Sequence, residues 1–396
     1  MHLAVVSPFP PAITGIGQYG FHTSRSLSDS HAFDRISILA GASNGSSPSF
    51  DIPDLEVEYP WQLDHADSGK NIIATLKQKK PDVVWFNLGV SAFGKSPLAN
   101  LSGFSAVDRA KKLGIPTVVT LHEVVELSDL NALQAPGGIF AKMGARLITR
   151  MALQADVICL TLRHYTDWLA DIDPHKRSIH IPIGSYHKPD VLTQPGGEEL
   201  LFFSTFAPFK GIETLIAAFE KLLPEKPNLM LTIAGAEHHR FPGYAQSLIE
   251  KYNAVKNIRW LVDVPEEAVQ SIFERASIVV LPYSASTGSS SVLYQAATWG
   301  RPIIASDLPE LRSAAKESGL NIAFFQTDNA NDLATHIKNF LNHPEERMAQ
   351  LRQNAERIQN IHPQNTAKQY IEAFNLALSI TGKSAHLTTT QEPDAA

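Results

Sequence analysis

The chain has 396 residues, more than the roughly 100–200 usual for one domain, and 44% hydrophobic against 19% charged residues is a balance able to fill two cores. A formal charge of −6 gives no basic surplus for nucleic acid. The single cysteine, Cys159, excludes an internal disulfide framework and, within the apolar stretch Asp-Val-Ile-Cys-Leu, reads as a small buried hydrophobe.

The opening Met-His-Leu-Ala-Val-Val-Ser-Pro is too short an apolar run for a secretory h-region and breaks at Pro8, Pro10 and Pro11. No run approaches the roughly 18 apolar residues of a membrane span. The expected location is the cytoplasm.

In chain order, apolar runs predict buried strands at 3–6, 36–39, 83–86, 117–121, 157–160 and 179–183. Helical periodicity falls between them, near 18–27, 72–76, 101–113, 140–153 and 165–169. The Gly/Ser stretch 41–49 reads as a mobile surface connection. Residues 186–198 are rich in Pro, Gly and charge and read as a linker. The pattern then restarts, with strands at 200–204, 229–234, 258–261, 278–281 and 303–305. Helices are predicted at 211–223, 245–252, 265–275, 329–341, 344–360 and 363–378. Strands that are apolar throughout and alternate with helices predict parallel sheets covered on both faces. The fold class is therefore α/β, with two Rossmann-like doubly wound domains, 1–185 and 199–362, facing across a cleft. Residues 363–382 form a last helix, and 383–396 are expected to be disordered. Ligands of such sheets bind at the carboxyl ends of the strands.

The stretch 287–307 carries the most chemistry. The strand 278–281 is stopped by Pro282 and empties into a loop of small residues, 284–291. A helix follows with Val292, Leu293, Ala296, Ala297 and Trp299 turned inward and Gly300 suited to its C-terminal cap. Free N–H groups and the positive helix end there favour an anionic or hydroxyl-rich ligand. The same Gly and Ser residues would equally serve a plain tight turn.

The layout of this stretch resembles the donor-sugar signature of retaining glycosyltransferases of the GT-B fold, family 4, the glycosyl transferases group 1 type. Pro282, Gly288, Ala296, Gly300, Pro302, Ile303, Ile304 and Asp307 stand where that pattern wants them. Its two glutamates are replaced by Thr287 and Gln295, and its Phe-Gly pair by Ser289 and Ser290. Upstream, the segment around Thr205, Lys210 and Gly211 is similar to the family's Gly-Arg-Leu and Lys-Gly turn, with Thr205 in the arginine's place. The resemblance implies that Lys210 holds the donor diphosphate, with Arg163 or Arg240 as candidates for the missing second cation. It also implies that Gly15 and Gly17, in the Pro/Gly loop after the first strand, approach the donor phosphates or the acceptor. His122, at the end of the strand 117–121, would face the donor sugar and the developing charge, with Glu123 structural.

Gln295 keeps a carbonyl acceptor for a ribose hydroxyl, whereas Thr287 offers a hydroxyl and no charge. The nucleotide base would lie against backbone near 234–237 and 262–265, with His238 and His239 just beyond. No metal or cofactor is implied, the nucleotide-diphosphate sugar being a co-substrate, and the last helix would return to the N-terminal domain. The resemblance thus implies transfer of a sugar from a nucleotide-diphosphate sugar to a hydroxyl acceptor with retention of configuration, as in polysaccharide or glycoconjugate assembly. Alternatives are a GT-B protein that binds a ligand or partner without catalysis, and an epimerase or phosphorylase of the same fold. The helix 140–151, with Lys142, Arg146 and Arg150 beside Phe140, Met143, Leu147 and Met151, could touch the inner membrane face or form an ordinary half-buried helix.

Overall fold

The computed structural model describes residues 1–11, 14–42, 53–134, 138–190, 195, 197–238, 240–286, 288–383 and 386–388, the side chains of 138–141 excepted. Most of the Gly/Ser stretch, His239, Thr287 and most of the terminal tail lie outside them. The chain divides into two compact units, Met1–Ser128 with Ala135–Tyr186 and Pro363–Ala396, and Asp129–Gln134 with His187–His362.

The first unit is built on seven parallel strands: β1 (His2–Val6), β2 (Arg35–Ala42), β3 (Glu56–Gln62), β4 (Val83–Leu88), β5 (Thr117–Leu121), β6 (Val157–Leu160) and β7 (Ser178–His180). Their order is β3-β2-β1-β4-β5-β6-β7, so the connections reverse direction between β1 and β4. The helices are α1 (Gly15–Asp29), α2 (Ser68–Lys79), α3 (Pro97–Lys112), α4 (Gly138–Ala152) and α5 (Arg163–Ile172). β1, β4, β5 and β6 are buried almost throughout, the pattern of a sheet covered on both faces. β3 has no counterpart among the strands expected from the sequence. It alternates charged and apolar residues, contains Pro60 and sits at the sheet edge, where a missing ladder donor is tolerated.

The second unit has six parallel strands: β8 (Glu199–Phe203), β9 (Met230–Gly235), β10 (Ile258–Val262), β11 (Ile278–Leu281), β12 (Ile303–Ser306) and β13 (Ala323–Phe325). Their order, β10-β9-β8-β11-β12-β13, reverses between β8 and β11. The helices are α6 (Ile212–Leu222), α7 (Tyr244–Lys251), α8 (Glu266–Arg275), α9 (Ser291–Thr298), α10 (Pro309–Ser318), α11 (Ala330–Asn342) and α12 (Pro344–Ile358). The α10–β13 pair was not anticipated: α10 buries only Leu311, Ala314 and Ala315, and β13 has three residues.

The last helix, α13 (Pro363–Ile380), belongs to the first unit. The Tyr370 hydroxyl is 2.8 Å from those of both Tyr19 and Thr120, and Trp85 Nε1 donates to Thr120 Oγ1 at 2.8 Å. A buried hydroxyl without partners costs about 1–3 kcal/mol, so this chain of bonds fixes the helix register as well as its position. Within the tail expected to be disordered, Leu387 is buried and exchanges two backbone hydrogen bonds with the Asn375 side chain. That satisfied local pairing holds the segment to α13. Cys159 is fully buried, and burial pushes its thiol pKa up, which keeps it a thiol.

Candidate functional site

Both direction reversals leave a gap at the carboxyl edge of a sheet, where doubly wound folds bind their ligands. In the second unit that gap is closed by backbone. Ser284 N and Ala285 N donate to Phe209 O at 3.0 and 3.3 Å, tying the loop after β11 to the turn after β8. Gly211 has φ +66°, and a Cβ there would stand 1.8 Å from Pro282 O. Gly235, at the end of β9, would meet Ser204 O at 1.7 Å. Both positions need glycine for a close backbone approach as well as for φ.

This approach sets the Lys210 ammonium over the Tyr283 ring, 3.9 Å from its centroid. The buried ring is held by its hydroxyl, 3.3 Å from Ser204 Oγ and 3.2 Å from Ser290 Oγ. Ser290 is the residue before α9 and makes no side-chain cap bond. The N–H groups of Ser289, Ser290 and Val292 have no hydrogen-bond partner among the described residues. A half-buried cation with no carboxylate partner among those residues thus stands over a ring whose hydroxyl reaches Ser290, the residue before a helix start with open amides, an arrangement that favours an anion. Tyr283 did not figure among the predicted site residues. An aromatic side chain directly after the proline that ends the reversal-point strand was the available signal.

The other predicted residues of this unit take distinct places. Gly288 is buried, with its N–H and C=O both tied to Ser286 Oγ, so its amide is not open. Ser289 Oγ donates to Tyr294 OH at 3.2 Å. Gln295 is buried on α9, and its side-chain amide makes no hydrogen bond to a described residue. Thr205 is half-buried and likewise unengaged by the described residues. Thr287 and His239 lie outside the described residues. Asp307 is exposed and spent on a paired contact with Arg312, whose guanidinium holds its carboxyl below the usual range.

Arg240 cannot stand in for a phosphate ligand as it lies here. Its guanidinium donates to Leu133 O and Gln134 O at 2.8 and 2.7 Å and faces the Phe241 ring. Leu130 and Leu133 pack with Ala207, Phe209, Phe241 and Ala285, which is why Asp129–Gln134 clusters with the second unit instead of the first domain expected from the sequence. The two turns expected to flank a base are joined, Val264 N donating to Gly235 O at 3.2 Å and Glu237 N to Asp263 Oδ1 at 3.4 Å.

In the first unit the gap is filled by side chains. His122 Nε2 is 2.6 Å from Asn87 Oδ1, while Asn87 Nδ2 donates to Ser7 Oγ and Ile16 O at 2.8 and 3.0 Å. An amide oxygen only accepts, so His122 carries its proton on Nε2. Burial lowers the imidazole pKa to about 3, so the ring is neutral near pH 7 and brings no positive charge. Tyr19 packs edge-on against it at 4.8 Å. Glu123 Oε1 accepts from Val90 N at 3.0 Å, a loop-holding contact.

Gly15 and Gly17 are not in a turn before the helix: α1 starts at Gly15. Thr14 is its N-cap and its hydroxyl accepts from Gly17 N at 2.9 Å, so that amide is occupied. A Cβ on Gly15 would meet nothing within 4 Å. Thr14 ahead of Gly-Ile-Gly was the readable sign of this cap.

Residues 187–358 match the profile of the family described as glycosyl transferases group 1. A search of curated protein sequences finds no match. Among solved structures, the chain is similar to sucrose-phosphate synthase from Thermosynechococcus elongatus, with a TM-score of 0.72 and 15% identity, covering 96% of this chain and 100% of that one. It is also similar to Anabaena HepE in complex with UDP-glucose, with a TM-score of 0.66 and 14% identity over 96% and 100% of the two chains. A glycosyltransferase from Rickettsia africae gives 0.68 and 15% over 95% and 98%. At these identities the likeness establishes the fold: two parallel-sheet α/β domains of the GT-B type.

Proposed function

We propose that the protein is a glycosyltransferase that moves a sugar from a nucleotide-diphosphate sugar to an acceptor hydroxyl with retention of configuration. The observation that carries this reading is the Lys210 ammonium, held over Tyr283, whose hydroxyl reaches Ser290 ahead of α9, within the part of the chain that matches the glycosyl transferases group 1 profile. Lys210 and the Ser289 and Ser290 amides bind the diphosphate, and the Gln295 side chain takes the ribose. Neutral His122, its Nε2–H given to Asn87, meets the donor sugar through Nδ1 as a hydrogen-bond acceptor and brings no charge. The anomeric C–O bond to the diphosphate breaks as the acceptor oxygen bonds the same face. The acceptor proton passes to the leaving phosphate oxygen, so no enzyme nucleophile is required. The similar HepE structure holds UDP-glucose, which makes UDP-glucose the first donor to try.

A second reading, nucleotide-sugar binding without transfer, is favoured by one observation. Neither Thr287 nor Gln295 supplies a carboxylate, and Asp307 is engaged by Arg312. Incubation of nucleotide sugars with hydroxyl acceptors, followed by NMR of the product anomer, separates the two. A product with the donor's anomeric configuration supports retaining transfer, an inverted product rejects retention, and tight binding without product supports the second reading.

A further inference from the structure

We infer that the outer face of α4 is a docking surface for an anionic lipid bilayer. This surface is separate from the anion site of the second unit, and its role does not depend on sugar transfer. Helix α4 has 15 residues, three basic and none acidic, in a chain whose formal charge is −6. Its inward side is marked by Ile148, Thr149 and Ala152, all buried. Its outward side carries Lys142, Arg146 and Arg150, four residues apart and therefore one above the other. All three are exposed, and none forms an ion pair with a described residue. Beside this stripe Met143 and Leu147 are 59% and 49% exposed, and Leu127, on the adjoining 3-10 turn, is 41% exposed.

The neighbouring carboxylates do not pair with the stripe: Glu126 accepts from Thr149 Oγ1, and Asp108, on α3, pairs with Lys112. A cationic stripe without ion-pair partners among the described residues, on an acidic protein, favours an anionic partner. The apolar part decides which kind. Met143 and Leu147 together offer on the order of 200 Å², well below the roughly 800 Å² per partner of a specific protein interface. It is, however, the arrangement of an interfacial helix, with short apolar anchors and long basic side chains that reach back to lipid headgroups. No helix of the described residues is long and apolar enough to cross a membrane, so this contact lies on the surface. Each basic residue contributes about fivefold in partitioning at an anionic leaflet. Three of them with two apolar anchors give reversible, salt-sensitive attachment.

The test is co-sedimentation of the full chain with vesicles of phosphatidylcholine alone and of phosphatidylcholine mixed with phosphatidylglycerol, at low and high salt. The expected result is binding to the mixed vesicles only, lost at high salt. Arg146→Glu/Arg150→Glu should weaken it at least about 25-fold, and Leu147→Gln about fivefold, with melting temperatures unchanged because the sites are exposed. A control with the same change in net charge, Lys70→Glu/Lys77→Glu on α2, should bind nearly as wild type. No binding to mixed vesicles, equal loss in the control, or self-association abolished by Leu147→Gln in place of lipid binding would overturn the inference.

Discussion

The two reversal points have the same topology and opposite chemistry. In the first unit the polar groups around the gap are spent on each other: His122 on Asn87, Asn87 on Ser7 and Ile16, Gly17 N on Thr14. In the second unit the backbone is drawn so close that only glycine fits, while the Lys210 ammonium and three amides are left without hydrogen-bond or ion-pair partners among the described residues. A satisfied network holds shape at little cost in unpaired polar atoms, whereas unspent donors are tolerated where a ligand or water meets them. The contrast leaves unspent donors at the reversal point of the second unit and a closed, neutral polar network at that of the first.

The largest effect should come from closing the second gap. Gly211→Ala places a methyl against Pro282 O at a positive φ and is expected to cost about 3 kcal/mol or more. Thermal melting of the variant checks this, and a near-wild-type melting temperature would show that the close approach is not needed. The first unit's network should show itself in acid. A histidine that is neutral when folded and titrates near 6.5 when unfolded contributes stability that is complete above about pH 6.5 and lost progressively towards pH 3. The slope is about 1.4 kcal/mol per pH unit. Urea titrations of wild type and His122→Gln across this range should differ in that slope; parallel curves would mean that the imidazole titrates freely.

Next comes the aromatic support of the cation. Tyr283→Leu removes the ring under Lys210 and should weaken nucleotide diphosphate binding about tenfold, whereas Tyr283→Phe keeps the ring and should lose at most about threefold. Equal losses would assign the effect to the hydroxyl bridge between Ser204 and Ser290. The smallest change is expected from Arg240→Ala. It frees Leu133 O and Gln134 O and should lower stability by about 1 kcal/mol without altering nucleotide affinity. A large affinity loss would bring Arg240 into the anion site.

Much of this architecture is legible from the strands alone, because a strand buried on both faces must be apolar at every position, as β1, β4 and β11 nearly are. β3 escapes for the converse reason: an edge strand with Glu56, Glu58 and Pro60 carries no such run. Within the site, Lys210 and Gly211 announce themselves by a strand, a short turn and a helix in sequence. Tyr283 and Asn87 do not, since each acts through partners brought together only by the sheet. Lys210 is 73 positions from Tyr283, and Ser7 is 80 from Asn87. The glycines of α1 mislead because a Gly-x-Gly turn and a capped helix start look alike unless Thr14 is weighed as the cap.

The most direct test of the central claim is calorimetric titration of uridine, guanosine and adenosine diphosphates into the wild-type chain and Lys210→Ala. At least one diphosphate is expected to bind, and the substitution should weaken it by about 10–100-fold, the worth of a charge-assisted contact, with the melting temperature of the free protein unchanged. Binding of equal strength in both proteins would contradict the claim, and so would no binding of any of the three at millimolar concentration.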